Sequence, residues 1–233
     1  MLQVWQQLSG INTAMYYGPE ILRDAGFGGD DPRTVLIQSV PLGAINFVGT
    51  LVALRYTDKL GRRAVMLRVL PLIALSMAAI SCGMFLVNFT KAVGTGQGLS
   101  LAALLSYLFF FAIGMGSQPW TVNSEIYAVH VRGTATALAT TANWVSNYAI
   151  AAVFLTTTSS PLGRVLTYLV IAGFCMAAFA FIYMLLPETR GRSVEEIVQL
   201  FLNPHRVAES KHTDPESVWE QATVVLLPSK TKI

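Results

Sequence analysis

Residues 69–89 read VLPLIALSMAAISCGMFLVNF, an apolar stretch without a charged side chain. A helix of roughly 20 apolar residues crosses the ~30 Å hydrocarbon layer of a bilayer. Similar stretches recur along the chain, and in lipid the backbone polar groups need partners inside the protein, which a helix supplies. The pattern therefore predicts an all-α membrane protein with six transmembrane helices.

The composition of the whole chain agrees with this prediction. Its 233 residues are 53% apolar and only 12% charged, whereas soluble domains are about 25% charged. So few charges do not build a water-facing surface, which disfavours a soluble enzyme. No basic cluster indicates nucleic-acid binding, and no arrangement of side chains indicates catalysis, a metal site or a cofactor. Cys82 and Cys175 lie in apolar stretches and are interpreted as packing residues.

The six predicted spans occupy most of the chain. They are residues 2–22, 34–56, 69–89, 99–120, 137–156 and 165–186. The sequence predicts a six-helix transmembrane domain over 1–187 and a cytoplasmic amphipathic helix over 188–203. Ser193 and Glu196 have the spacing of a capping box at the start of that helix. Residues 204–233 are predicted to form a mobile polar tail.

The distribution of charge predicts the orientation of the spans. Twelve Lys and Arg residues fall on one side of the membrane and four on the other. By the positive-inside rule the richer side is cytoplasmic, and six spans then place both termini there. The sequon Asn88-Phe89-Thr90 falls on the outer side, where glycosylation is possible although the membrane is very close. Met1 is not followed by the pattern of a signal peptide.

The first span carries amides that lipid does not satisfy. An unpaired amide in hydrocarbon costs several kcal/mol, so Gln6, Gln7 and Asn12 are expected to face protein or a wet cavity. Gly10 is expected to loosen the helix and turn Asn12 toward the same space. One helical face combines Gln6, Ser9, Thr13 and Tyr17. The alternative is that these groups only join helices to one another, since amides also stabilise membrane bundles.

Further polar positions lie in three other spans. Asn46 is in the middle of the second span, and Trp120 is at the inner end of the fourth. Trp near a span end often serves only as an interface anchor. Asn143 near the start of the fifth span has no such role, and Asn147 follows it by one turn.

Several motifs together resemble the signatures of the sugar porters of the major facilitator superfamily. They are Gln6-Gln7-Leu8-Ser9-Gly10-Ile11-Asn12 with Tyr16-Tyr17, Asp58-Lys59-Leu60-Gly61-Arg62-Arg63, Pro119-Trp120, Ser124-Glu125-Ile126-Tyr127, Arg132-Gly133 and Pro187-Glu188-Thr189-Arg190-Gly191. Their order and spacing are similar to those of the second six helices of that family. The resemblance implies the C-terminal half of a 12-helix bundle.

The resemblance also implies a sugar site built from particular residues. The substrate-binding residues it implies are Gln6, Gln7, Asn12, Asn46, Trp120 and Asn143, with Tyr16, Tyr17 and Gly116 as further cavity candidates. Amides both donate and accept hydrogen bonds, which suits an uncharged polyol, and an indole face covers its C–H surface. These side chains are expected to converge on one cleft in the middle of the membrane.

A second set of residues gathers charge at the inner ends of the spans. The set is Asp58, Arg62, Arg63, Glu125, Arg132 and Glu188. The resemblance implies an ion-pair network that closes a cytoplasmic gate against the other half of the carrier. The alternative is that these charges only set the topology.

The substrate implied by the resemblance is myo-inositol, carried with protons. The segments 10–17, 119–127 and 142–147 most resemble the proton-coupled myo-inositol transporters, and Asn123, ahead of Ser124-Glu125, is the most suggestive single residue. Ala128 departs from their pattern, and Ala112 replaces a glutamate of many hexose carriers. A simple hexose is the alternative. No acidic residue lies deep in a span, and the family's proton site belongs to the other half.

The resemblance covers only one half of a carrier, which binds substrate between two six-helix halves. We therefore expect a fragment or truncated product that needs the lipid bilayer and an N-terminal half for transport. The alternative is a non-transporting membrane protein that binds a sugar or a full-length partner. The plasma membrane is the favoured location and an internal membrane is the alternative.

Overall fold

The computed structural model describes residues 1–16, 18–24, 32–193 and 196–197, in which every regular element is helical. The α-helices are α1 (Leu2–Leu8), α2 (Ile11–Tyr16), α3 (Gly18–Asp24), α4 (Pro32–Leu60), α5 (Arg62–Phe89), α6 (Val93–Phe111), α7 (Gln118–Glu125), α8 (Arg132–Thr157) and α9 (Pro161–Leu185). A π-helical turn, Ala112–Gly116, joins α6 to α7. The predicted all-α class is confirmed.

Four helical segments of the described chain are long and apolar enough to cross a membrane. They are Val40–Leu60, Arg62–Phe89, Val93–Glu125 and Pro161–Leu185. The predicted first span is divided into three short helices, α1 to α3. The fifth corresponds to α8, which is 26 residues long but contains many Thr and Asn residues that lower its hydropathy. The count of six spans stays a prediction.

The helices extend beyond the apolar stretches that predicted them. The α5 helix begins at Arg62 rather than at Val69, and α6 begins at Val93 rather than at Leu99. Helical hydrogen bonding continues outside the hydrocarbon layer, so hydropathy marks the membrane crossing and not the end of the helix. At the other end of α5, the Asn88 amide donates to the Met84 carbonyl at 2.7 Å; glycosylation at its sequon stays a prediction.

The core is centred on α5, which packs against α6 on one side and α9 on the other. Its buried residues recur every three or four positions, so they share one side of the helix. They include Met66, Leu70, Ile73, Met77, Ile80 and Met84, each at most 2% exposed. Leu104 and Leu108 of α6 and Ile182 of α9 are equally buried within the same cluster.

The chain breaks between α1 and α2 at Gly10. Gly10 has φ +84°, a conformation that other residues adopt with strain, and its N–H donates to the Gln7 carbonyl at 2.9 Å. The prediction that Gly10 loosens the helix is confirmed. The break lets the polar residues of α1 and α2 approach one another from two directions.

The chain after α9 keeps the predicted capping box. The Ser193 N–H donates to Glu196 Oε2 at 2.9 Å, and the Glu196 N–H donates to Ser193 Oγ at 3.3 Å. Ile197 is 1% exposed, so this segment packs on the helical domain. Tyr17, most of the predicted amphipathic helix and the predicted tail over 204–233 lie outside the described residues.

Candidate substrate-binding site

A cluster of buried and half-buried carboxamides lies where α1 and α2 meet α8. We call it the amide cluster; its members are Gln3, Gln6, Gln7, Asn12, Asn143 and Asn147. Gln6 and Gln7 lie three and four residues after Gln3, so all three are on one side of α1, and Asn143 and Asn147 are one turn apart on α8. All but Asn12 are less than 9% exposed.

Asn143 is at the centre of the cluster and is 2% exposed. Its Nδ2 donates to Gln3 Oε1 at 2.7 Å and to Gln6 Oε1 at 2.9 Å. Its Oδ1 accepts from Gln7 Nε2 at 3.0 Å. One asparagine on α8 therefore contacts all three glutamines of α1 and uses both ends of its carboxamide.

Gln7 connects the centre to the neighbouring residues. Its Oε1 accepts from Asn12 Nδ2 at 2.9 Å and from Asn147 Nδ2 at 3.3 Å. Asn12 reaches back across the break at Gly10, which is the approach that the sequence predicts. Asn12 is also half-buried, so this side of the cluster is the more open one.

Gln6 joins the cluster to the π-helical turn. Its Nε2 donates to the Met115 carbonyl at 2.7 Å and to the Gly116 carbonyl at 3.0 Å. A π-helical turn departs from the usual i to i−4 bonding and is frequent at functional sites. Gly116, a predicted cavity residue, thus takes part through its backbone oxygen.

Two of the predicted binding residues are not joined to the cluster. Asn46 is half-buried on α4, and Trp120 on α7 is 39% exposed. Among the hydrogen bonds between described residues, none links either side chain to the amide cluster. Tyr16 is 55% exposed, and Tyr17 is not described. Convergence of all six residues on one cleft stays a prediction; the structure brings together Gln6, Gln7, Asn12 and Asn143.

The structure adds Gln3 to the residues that sequence reasoning selected. Gln3 is 2% exposed and lies one helical turn before Gln6 and Gln7. The polar face predicted from Gln6, Ser9 and later positions extends backward to it, so the helical spacing contained the signal.

The charges at the helix ends that are predicted to be cytoplasmic form contacts within this chain. Arg62 pairs with Asp58 at 3.5 Å and with Glu125 at 3.2 Å. The Glu188 carboxylate accepts from the backbone N–H of Arg62 at 2.9 Å and of Ala64 at 3.2 Å. An anion at a helix N-terminus satisfies unpaired N–H groups and the helix dipole. Four of the six predicted gate residues are therefore brought together.

The other two predicted gate residues bind backbone oxygens. Arg63 Nη2 donates to the Tyr183 carbonyl at 2.9 Å, and Arg132 Nε donates to the Tyr127 carbonyl at 3.3 Å. Burial raises the pKa of the Tyr127 phenol above its ordinary value. Pairing of any gate residue with another half of a carrier stays a prediction.

A separate cavity of about 290 Å³ lies between α8 and α9. Its walls are mainly aliphatic and aromatic, including Val153, Phe154, Val170 and Phe174. Because a polyol needs hydrogen-bond partners for its hydroxyls, this cavity suits it less than the amide cluster does.

A group of uncharged amides in a helical membrane bundle suits the binding of a neutral polar solute or the joining of helices to one another. Residues 1–201 match the family described as "Sugar (and other) transporter". Myo-inositol transporter 1 of Cryptococcus neoformans is 33% identical over 95% of this chain and 39% of its own length. The proton myo-inositol cotransporter hmit-1.1 of Caenorhabditis elegans is 29% identical over 94% of this chain and 50% of its own length.

A solved structure of a sugar carrier also resembles this chain. The proton:xylose symporter XylE of the major facilitator superfamily, bound to 6-bromo-6-deoxy-D-glucose, has a TM-score of 0.75 and 28% identity to this chain. The match covers 86% of this chain and 41% of XylE. The chain belongs to the sugar transporter family of the major facilitator superfamily, and it spans half or less of the length of these relatives.

Proposed function

We propose that this chain forms one wall of a polyol or sugar site in a carrier that works by alternating access. The observation that carries the proposal is the amide cluster around Asn143. An uncharged amide donates through nitrogen and accepts through oxygen, so it exchanges its bonds to other amides for bonds to hydroxyls without moving a proton. The substrate-binding roles of Gln6, Gln7, Asn12, Asn46, Trp120 and Asn143 are part of this proposal.

Myo-inositol is the favoured substrate. The two relatives reported above are myo-inositol transporters by name, while others of similar identity are named for glucose or trehalose. Asn123, which suggests inositol from sequence, is 5% exposed and its Nδ2 has no hydrogen-bond partner among the described residues. A hexose is the second candidate, since XylE holds a glucose derivative. Proton coupling is proposed from the C. elegans relative, with its proton site in the other half.

We propose that a second half of the carrier covers the exposed side of this chain. Trp120 is 39% exposed, and the Asp58 side chain is 82% exposed. An N-terminal six-helix half would cover them, supply the opposite wall of the site and pair with the cytoplasmic gate. We place both termini in the cytoplasm and favour the plasma membrane, with 1–187 as the transmembrane unit.

Binding of radiolabelled myo-inositol to the chain in lipid nanodiscs tests the proposal. Saturable binding is expected, with unlabelled myo-inositol a better competitor than D-glucose. Asn143→Leu removes the central carboxamide and is expected to weaken binding by at least about tenfold, since it removes more than one buried hydrogen bond.

Asn88→Leu is the matched control. Asn88 donates only to the Met84 carbonyl among the described bonds and lies outside the amide cluster. Its replacement is expected to leave binding unchanged. The proposal is wrong if neither polyols nor hexoses bind saturably, or if Asn143→Leu binds as tightly as the unaltered chain.

A further inference from the structure

The Gln3 carboxamide has a hydrogen-bonded oxygen and an unpaired nitrogen. Its Oε1 accepts from Asn143 Nδ2 at 2.7 Å, the shortest bond that Asn143 makes. Its Nε2 is buried and has no hydrogen-bond partner among the described residues. A buried donor without an acceptor is unfavourable, so the arrangement needs a physical reason.

Rotating the Gln3 carboxamide by half a turn does not remove the problem. The rotation would place Gln3 Nε2 against Asn143 Nδ2, and two amide donors repel. Asn143 is equally constrained, because its Nδ2 faces three acceptors: Gln3 Oε1, Gln6 Oε1 and the Gln3 carbonyl. Reversing Asn143 would place its Oδ1 against these oxygens and its Nδ2 against Gln7 Nε2. The network thus assigns the direction of both amides.

We propose that Gln3 is a positioning residue, which holds Asn143 with its nitrogen toward α1 and its oxygen toward Gln7. This inference rests on the proposed function, and it concerns a residue that acts on the site through Asn143. The unpaired Gln3 Nε2 results from keeping Gln3 Oε1 on Asn143. The constraint determines where the site presents donors and acceptors.

The direction of Asn143 matters for the choice of substrate. With Asn143 Oδ1 bonded to Gln7 Nε2, Gln7 Oε1 points toward Asn12 and Asn147. Loss of the Gln3 side-chain acceptor leaves Asn143 bonded to Gln6 Oε1, to the Gln3 backbone carbonyl and to Gln7 Nε2. The Asn143 carboxamide is then held less tightly, and so is the direction of Gln7. Two polyols that differ in the direction of one hydroxyl are told apart by such fixed directions, so release is expected to reduce discrimination between them.

Two variants of Gln3 separate positioning from packing. Gln3→Met keeps the length of the side chain but removes the acceptor. Gln3→Glu removes the unpaired N–H groups and keeps an acceptor oxygen in either protonation state. Gln118→Met is the control: Gln118 is fully buried but donates to Thr57 Oγ1 at 2.7 Å, outside the amide cluster.

The first measurement needs no ligand. Hydrogen exchange of the ¹⁵N-labelled side-chain amide of Asn143 is followed by NMR in nanodiscs. Exchange is expected to be slow in the unaltered chain, in Gln3→Glu and in Gln118→Met. In Gln3→Met it is expected to be about tenfold faster, as for loss of one buried hydrogen bond. Equal exchange in Gln3→Met and the unaltered chain would overturn the inference.

The second measurement is the ratio of the dissociation constants for myo-inositol and scyllo-inositol, two polyols that differ only in the direction of one hydroxyl. Gln3→Met is expected to change this ratio about fivefold, and Gln3→Glu to restore it. In an Asn143→Leu background, Gln3→Met is expected to have no further effect, because Gln3 acts through Asn143. An undiminished effect in that background would contradict the inference. If the unaltered chain binds no polyol, the proposed function fails, and the exchange measurement still decides whether Gln3 holds Asn143.

Discussion

At the scale of single residues, Gly61 and Glu188 fix the start of α5. Gly61 has φ +88° and ψ +153°, a region that is essentially restricted to glycine. A Cβ at this position would lie 2.6 Å from Glu188 Oε2. The missing side chain therefore lets the carboxylate reach the first N–H groups of the helix, which the sequence motif alone does not explain.

Gly61→Ala is expected to destabilise the protein by about 1–3 kcal/mol, through the strained backbone and the displaced carboxylate. Thermal unfolding in a mild detergent measures the loss. Gly133→Ala is the control, since Gly133 has no positive φ and a Cβ there meets nothing within 4 Å. Equal midpoints for Gly61→Ala and the unaltered chain would contradict the account of this turn.

At the scale of elements, the π-helical turn between α6 and α7 is held from two sides. Gln6 of α1 donates to two carbonyls of the turn. On the other side Gly114 contacts α5 so closely that a Cβ would overlap Val69 Cγ2. The turn thus determines the approach of α1, which carries the amide cluster, and α5, which forms the core.

Gly114→Ala is expected to cost about 1–3 kcal/mol of stability, because it adds a methyl group where none fits. Val69→Ala in the same chain removes the contact and is expected to recover most of the loss, although it destabilises the protein when made alone. Gly98→Ala in α6 is the control because a Cβ there meets nothing within 4 Å. Additive losses in the double variant would show that the two sites are independent.

At the scale of the whole molecule, the amide cluster lies within one bundle and its opposite wall is proposed to come from another. Carriers of this kind move substrate by rocking two halves about a shared site. A single bundle offers binding groups but no second half to alternate with. We therefore expect this chain to bind the substrate without transporting it.

Reconstitution of the chain alone in liposomes is expected to give no saturable uptake of myo-inositol, while the nanodisc assay still detects binding. Uptake of the labelled polyol against time and concentration measures this. Liposomes containing Asn143→Leu provide the background of leakage. Saturable uptake by the unaltered chain, lost in Asn143→Leu, would show that the half is sufficient and that the need for a second half is wrong.

The sequence by itself determined the helical membrane class, because apolar stretches and scarce charge are local properties that need no partner. It also selected Gln6, Gln7, Asn12 and Asn143, because an amide inside an apolar span needs a polar partner whichever way its side chain points. The break at Gly10 was predictable because glycine accepts backbone conformations that other residues adopt only with strain. The family motifs added the identity of the carrier class.

The tertiary structure decided which groups each amide meets. Gln7 and Asn143 are 136 residues apart in sequence, and no local pattern shows that their helices touch or that Gln3 shares the contact. It also decided that Arg63 and Arg132 bind backbone carbonyls, while Arg62 bridges two carboxylates. Hydrogen bonds depend on distance and direction between distant segments, and only the packing of the helices sets these.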